Sequence, residues 1–305
     1  MKKLAVINDL SGLGKCSLTA AIPVISVLGV QAVPLPTAVL SNQTGYDSYY
    51  VDDYTDRMEA IMEEWEKRGF SPDGIYTGFL AGEEQGDRIL SFFRRFRKRE
   101  TLVLVDPVMG DGGAVFKIYS QGLLSRMQEL AGQADVITPN LTEALLLLYG
   151  YEGMRKAWEE LMDLSWEEAQ GEVSLVGERL VKRFSCGHAV ITGVDVKGER
   201  PGIGNLVCQE GRSTWILSEK KGGSYSGTGD LFASVLGAGL VRGIPMEFCV
   251  REAAEFLGKA IEGAVKEGTD RNDGVCFEPL LCRLGERFSR YEDVSGKSQG
   301  KVVSV

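Results

Sequence analysis

Read for hydrophobic and polar positions, the chain divides into short apolar runs separated by longer stretches in which apolar residues recur every three or four positions. The runs are "LAVIN" (4–8), "QAVPLPTAVL" (31–40), "GIYTGF" (74–79), "TLVLVD" (101–106), "ADVITP" (134–139) and "HAVITG" (188–193). They are apolar throughout rather than alternating, as strands buried on both faces of a parallel sheet are. Helical periodicity predicts helices over 17–28, 53–68, 83–98, 140–149 and 172–185. The stripe in 53–68 is Met58, Ile61, Met62 and Trp65, and that in 83–98 is Ile89, Leu90 and Phe93. Then the pattern changes. "NLVCQ" and "STWILS", joined by "EGR", read as a hairpin of edge strands, and two long helices follow over 228–242 and 246–267. This order predicts an α/β fold, a mostly parallel central sheet covered by helices on both faces. With no internal repeat or low-complexity linker, one domain is expected over 1–285, followed by a polar tail over 286–305. The segment "YEGMRKAWEELMDLSWEEAQ" reads as peripheral helix and loop, with Trp158 and Trp166 as aromatic anchors.

Composition narrows the ligands more than the fold. The 305 residues are 44% hydrophobic and 25% charged, an ordinary globular balance. Lys and Arg number 34 against 43 Asp and Glu, and a net charge of -9 argues against a nucleic acid as partner. A single nucleotide remains compatible, because local backbone amides and a metal decide that. No run approaches the roughly 18 to 20 apolar residues of a membrane span. In "MKKLAVINDLSG" Asn8 and Asp9 interrupt the apolar run before it reaches the length of a signal peptide core. A cytoplasmic protein without a membrane partner is therefore expected. Six cysteines without CxxC spacing imply reduced thiols. His188 is the single histidine and begins a strand, so it reads as structural, and multi-histidine metal sites are excluded.

Candidate chemistry lies at the carboxyl ends of the strands, where an open α/β sheet forms its crevice. "SGLGKCS" resembles a phosphate loop, but Asp9 and Cys16 stand where GxxxxGK[ST] requires Gly and Ser or Thr. A Walker-type NTPase is thereby rejected, and Lys15 either neutralises a ligand charge or is solvated. No GxGxxG follows the first strand, which excludes a nicotinamide dehydrogenase. In "DPVMGDGG" the carboxylates of Asp106 and Asp111 suit a hydrated Mg2+, or else form an Asp-Pro turn with a cap. In "TPNLTEA" Asn140 and Glu143 have the spacing of a capping box, and Glu143 also fits a metal and phosphate shell beside those aspartates. "GGSYSGTGD" places glycines and a small hydroxyl residue before an apolar helix, so its first N–H groups form an anion site. Asp230 in that turn either accepts the proton of a substrate hydroxyl that attacks the γ-phosphate, with Gly227, Thr228 and Gly229 stabilising the transferred group, or complements the helix dipole.

"GTGDLF", "DPVMGD", "ITPNLTEA", "AVITG" and "SNQTGY", in that spacing and with "INDLSGLGKCSLT" at the start, resemble the pyridoxal kinases of the ribokinase-like superfamily over residues 3–270. The resemblance implies a three-layer α/β/α ribokinase-like fold and transfer of the ATP γ-phosphate to the 5'-hydroxyl of pyridoxal, pyridoxamine or pyridoxine. It also implies Mg2+, often with K+ or Na+, and commonly a homodimer. By motif, Asp230 matches the general base and Gly227, Thr228 and Gly229 the anion hole. Asp106, Asp111 and Glu143 match the metal region, and Asn140, Thr192, Gly193 and Thr228 the nucleotide contacts. Thr44, Gly45 and Tyr46 match the segment covering the pyridine ring. Phe79 stands where relatives frequently have tyrosine. Asp9, with Ser11 beyond it, stands where many have serine, so an aspartate is available to pair with the pyridinium nitrogen or a substrate amine.

Hydroxymethylpyrimidine kinase, of the same superfamily, is the nearest alternative; its relatives usually carry a longer glycine-rich first loop and lack the "GD" after "DPVM". A sugar kinase lacks support, since the N-terminal double glycine and extended lid are missing. A catalytically silent nucleotide-binding relative is disfavoured by the intact Asp230 and acidic set.

Overall fold

The computed structural model describes residues 1–196 and 202–299. Its strands are β1 (Lys3–Leu13), β2 (Gln31–Asn42), β3 (Val51–Asp53), β4 (Gly74–Thr77), β5 (Leu102–Val105), β6 (Gly110–Asp111), β7 (Ala114–Val115), β8 (Val136–Ile137), β9 (His188–Val196), β10 (Gly202–Gln209) and β11 (Arg212–Glu219). Its helices are α1 (Ser17–Val27), α2 (Thr55–Lys67), α3 (Glu83–Phe96), α4 (Gln121–Ala131), α5 (Leu141–Met162), α6 (Trp166–Phe184), α7 (Thr228–Val241), α8 (Met246–Glu267) and α9 (Leu281–Gln299), with a single 3-10 turn at Glu278–Leu280. Among the described residues no helix is long and apolar enough to cross a membrane.

Nine strands form one sheet in the order β11-β10-β9-β8-β5-β4-β1-β2-β3, while β6 and β7 form a small hairpin apart from it. From β2 to β9 the neighbours run parallel, and antiparallel pairing is confined to β3 at one edge and β10 and β11 at the other. The alternation of side chains along β1 explains why its run is apolar throughout. Ala5 and Ile7 enter one core with Leu35, Ile75 and Val103, while Leu4 and Val6 enter the other with Tyr76, Leu104 and Val136. The first core is closed by α2, α3, α4, α5 and α6, the second by α1, α7, α8 and α9. This is the three-layer α/β/α arrangement the sequence predicts.

Local chemistry sets the helix ends. α3 buries Ile89, Leu90, Phe92, Phe93 and Phe96 on one side, with Glu83 and Glu84 in its first turn and Arg94 and Arg95 in its last, matching the helix dipole. Ser165 and Glu168 form a capping box that starts α6 within the segment read as peripheral. Trp166 stacks edge-on against Trp215 at 5.3 Å between ring centroids, and Trp158 abuts Gly113, so both tryptophans anchor that segment. α5 continues well past the predicted end at 149, with a break at Gly150, whose φ is 69°.

Structure at the carboxyl end departs from the polar tail expected over 286–305. α9 runs across that boundary; Phe288 is fully buried, and Tyr291 packs on Phe248 at 4.2 Å. Arg287 pairs with the buried Glu252 of α8. Burial of aromatic area and a shielded ion pair outweigh the polarity of the segment as a whole. Residues 300–305 lie outside the described residues.

Candidate active site

β1 is followed by β2 on one side, while β4, β5, β8 and β9 add on the other, so the strand order reverses at β1 and β4. Crevices of open α/β sheets form at such a point. Here the register of β1 against β2 shifts between Asn8 and Leu10, a local irregularity of the kind that re-aims side chains. Asn8 and Asp9, neighbours in sequence, are both buried at this place.

Asp230 reaches the same place from the first turn of α7. Asn8 Nδ2 donates to its Oδ1 at 2.9 Å, the Tyr76 hydroxyl donates to the same oxygen at 3.4 Å, and Ser17 N donates to Oδ2 at 2.8 Å. Asn8 Oδ1 in turn accepts Phe79 N and Asp9 N, each at 3.0 Å, so one amide ties β1, the β4–α3 loop and the aspartate together. Asp230 is half-buried: the residue keeps some solvent access at the crevice while protein surrounds its carboxyl. Burial pushes that carboxyl up to about 6 against the opposing bond from Ser17 N, with the Asp9 charge adding to the rise.

Asp9 is 4% exposed and accepts Ser11 Oγ at 2.8 Å and Ser17 Oγ at 2.5 Å. Burial raises its pKa despite these two hydroxyls. Ser17 thus serves two carboxylates, one by its backbone and one by its side chain. It does so at φ 50°, a left-handed conformation uncommon outside glycine. Cys16 stands at the N-cap of the same helix; burial and then the Asp230 charge push its thiol up to about 12, which favours the neutral thiol over the thiolate.

The glycine turn is fixed by close approach. Gly227 caps α7 at φ 81°, and a Cβ there would lie 1.9 Å from the Lys15 carbonyl oxygen. Only glycine lets this turn sit against the β1–α1 loop. The N–H groups of Gly227, Thr228 and Gly229 start the helix, and a Cβ on Gly229 would lie 3.8 Å from Asp106 Oδ2, which places Asp106 beside the turn.

Asp106, 6% exposed at the end of β5, is pushed up to about 8 by burial and then by the Asp230 charge. Thr77 and Thr138 follow or end the strands on either side of it, and their buried hydroxyls lack a well-formed hydrogen bond. Thr138 lies near enough to favour the ionised form of Asp106. The Thr77 hydroxyl, without a protein partner on the strand next to that buried carboxylate, fits a hard cation. The other two carboxylates of the predicted metal set are differently engaged. Glu143 forms a complete capping box with Asn140, its oxygens accepting Asn140 N at 2.9 Å and Met109 N at 3.1 Å. Burial and then the Asp106 charge raise its pKa well above the ordinary value. Asp111 is exposed on the β6–β7 hairpin, where it accepts Gly112 N at 2.8 Å. Among the described residues no three His, Cys, Asp or Glu side chains form a ready metal cluster. Mg2+ bound through one or two carboxylates and substrate phosphates requires none.

Of the residues expected to contact the nucleotide, Asn140, Thr192 and Gly193 lie together at the strand ends, while Thr228 stands at the start of α7. Asn140 bridges to Thr192 across the strand ends, Asn140 Nδ2 donates to Gly110 O at 2.7 Å, and Gly193, at φ 67°, donates to Asn205 Oδ1 at 3.2 Å. Thr228 Oγ1 donates to Tyr225 O at 3.1 Å. Thr44 and Gly45 are exposed in the β2–β3 loop, while Tyr46 is half-buried and its hydroxyl donates to Asp273. Phe79 is half-buried beside Asn8. Asn8, Ser17, Tyr76 and Thr138 carry no role in the sequence reading. The signal available for Asn8 is a polar residue ending the first parallel strand.

This combination, a carboxylate and glycine turn at a helix start beside a second buried carboxylate, marks a phosphotransferase site. Comparison with known proteins agrees: the model of the phosphomethylpyrimidine kinase family matches residues 16–274, and the chain belongs to that family. A Bacteroides thetaiotaomicron protein, provisionally assigned as a phosphomethylpyrimidine kinase and crystallised with pyridoxal, superposes with a TM-score of 0.82 at 32% identity, covering 93% of this chain and 95% of that one. Pyridoxal kinase from Lactobacillus plantarum superposes with a TM-score of 0.80 at 27% identity, covering 96% and 99%. The pyridoxine/pyridoxal/pyridoxamine kinase of Bordetella avium is 26% identical over 81% of this chain and 80% of its own. Against two fungal relatives the match spans 57% and 66% of their lengths. The fold is accordingly ribokinase-like.

Proposed function

We propose that the protein is an ATP-dependent kinase for the 5'-hydroxyl of pyridoxal, pyridoxamine and pyridoxine. The observation that carries this reading is Asp230, a half-buried carboxyl with three donors, directly after a glycine turn whose N–H groups are free to bind an anion. A pKa near 6 leaves it ionised at neutral pH yet basic enough to take a proton in the transition state. Asp230 accepts the proton of the acceptor hydroxyl as that oxygen bonds to the γ-phosphorus, the bond from phosphorus to the β–γ bridging oxygen breaks, and ADP leaves. The N–H groups of Gly227, Thr228 and Gly229 stabilise the charge on the transferred group. Mg2+, when bound, would neutralise phosphate charge; Asp106, with the Thr77 and Thr138 hydroxyls, would hold it, and Asp111 and Glu143 would complete the acidic region around it. Asn140, Thr192, Gly193 and Thr228 serve the nucleotide. Asp9, Ser11, Thr44, Gly45, Tyr46 and Phe79 serve the acceptor, with Asp9 suited to pair with a pyridinium nitrogen or an amine.

A second reading takes hydroxymethylpyrimidine as the acceptor, supported by the match to the phosphomethylpyrimidine kinase family and by a Rhizobium meliloti hydroxymethylpyrimidine/phosphomethylpyrimidine kinase, 25% identical over 86% of this chain and 90% of its own. Hydroxymethylpyrimidine is also a flat heteroaromatic alcohol and would use the same base. The test is ATP-dependent phosphorylation of each vitamer and of hydroxymethylpyrimidine, products weighed by mass spectrometry, for wild type and Asp230→Ala. Vitamer phosphorylation that drops by about 10²–10⁴ in the variant supports both substrate and base. Turnover of hydroxymethylpyrimidine alone moves the protein to the second reading, and no turnover of any acceptor overturns the kinase assignment.

A further inference from the structure

The turn at 270–274, between α8 and the 3-10 turn, touches three segments of the proposed site. Toward the acceptor-covering loop, the Tyr46 hydroxyl donates to Asp273 Oδ1, and Gln43 Nε2 donates to Asn272 O at 3.3 Å. A Cβ on Gly45 would meet Asn272 Oδ1 at 2.6 Å. Toward the β1–α1 loop, a Cβ on Gly14 would lie 3.1 Å from Asn272 O, and one on Gly274 would lie 3.2 Å from Lys15 O. Toward the glycine turn, Ser226 N donates to Arg271 O at 2.9 Å. The turn is internally braced, since Asn272 N donates to Asp270 Oδ1 at 2.8 Å and Asp273 N to Asp270 O at 3.0 Å.

We propose that Asp273 is a positioning residue: through the Tyr46 hydroxyl it latches the acceptor-covering loop onto the turn that also supports Ser226 and Lys15. Closure over the acceptor and alignment of the phosphoryl-transfer turn then share one support. Thr44, Gly45 and residues 47–50 are exposed, so Tyr46, together with Gln43 at the loop's start, gives this loop a long-range hold. The Tyr46 hydroxyl, pushed up to about 12 mainly by the bond to Asp273, stays protonated and able to donate throughout the neutral range.

This inference rests on the kinase reading, and two measurements separate their fates. The first is a double-mutant cycle with Tyr46→Phe and Asp273→Ala. Each change is expected to raise the acceptor KM about three- to tenfold, the worth of one hydrogen bond, with the KM for ATP unchanged. The double variant is expected to be no worse than the poorer single one, and Asp273→Asn, which keeps an acceptor for the hydroxyl, to restore most of the loss. Additive losses, an equal rise in the KM for ATP, or no change in the acceptor KM would overturn the latch. The second is amide exchange over residues 43–50 in the ligand-free protein, which needs no turnover. Exchange is expected to accelerate in Tyr46→Phe and Asp273→Ala alike; unchanged exchange overturns the latch. A wild type inactive on every acceptor overturns the kinase reading, and exchange then decides the latch by itself.

Discussion

Asn8→Asp isolates the electrostatics of the proposed base. The replacement is nearly isosteric and keeps the oxygen that accepts Phe79 N and Asp9 N, but it exchanges the Nδ2 donor, 2.9 Å from Asp230 Oδ1, for an acceptor. A hydrogen bond to a carboxylate contributes about 1.5–3 kcal/mol, which is lost only from the ionised form of Asp230. At about 1.4 kcal/mol per pH unit this raises its pKa by about 1 to 2. A second ionised carboxyl nearby adds repulsion of the same order, about 4 kcal/mol at 4 Å for an effective dielectric near 20. The acid limb of kcat/KM, expected near pH 6 in the wild type, should therefore move to about pH 7 or higher. A base with a raised pKa is protonated over more of the acidic range, so activity is lost there and recovers toward alkaline pH. The assay is the rate of acceptor phosphorylation from about pH 5 to about pH 9, at low acceptor and saturating Mg-ATP, for both proteins. A limb that stays in place while the whole profile drops would refute the assignment of that limb to Asp230 through Asn8.

Three further outcomes are expected. Gly227→Ala puts a Cβ 1.9 Å from Lys15 O at a backbone φ of 81°, so the β1–α1 loop should shift and kcat fall about a hundredfold; an unchanged kcat would show that the turn is not held by this contact. Phe288→Ala should cost about 3–5 kcal/mol in denaturant unfolding, because the ring is fully buried, and an unmoved midpoint would return α9 to the periphery. Asp106→Asn should abolish Mg2+-dependent turnover while stabilising the ligand-free protein at about pH 8 by more than about 1 kcal/mol. Asp106 has a raised folded pKa of about 8, so the wild type loses stability as pH rises through that value, and melting temperatures at about pH 6 and pH 9 should diverge less in the variant.

Sequence periodicity located the parallel strands because each is apolar on both faces, and the helices whose stripes face the two cores. It failed where other forces decide. β3 has three residues, of which Val51 alone is apolar, and exists by pairing with β2. α4 buries Leu123, Leu124, Met127, Leu130 and Ala131, a stripe at helical spacing to which the sequence reading assigns no helix. α9 holds through Phe288 and Arg287, whose partners lie on α8 and are invisible locally. The site shows the same division. Asp230 and Asp106 stand in glycine-rich strand and helix ends and can be singled out from neighbours in sequence. Asn8, Ser17 and Tyr76 meet Asp230 across separations of 222, 213 and 154 residues, so their part emerges only when the sheet brings β1, α1 and β4 to one end.

The double engagement of Ser17 separates two kinds of heritable change. Its hold on Asp230 runs through a main-chain N–H, which every residue except proline possesses, whereas its hold on Asp9 runs through a hydroxyl that most substitutions remove. Mutational drift at position 17 or at Asp9 can thus retune the proposed acceptor side while the proposed base keeps its main-chain support. On the proposed reading, a scaffold wired in this way can exchange one heteroaromatic alcohol for another over evolutionary time without first giving up phosphoryl transfer.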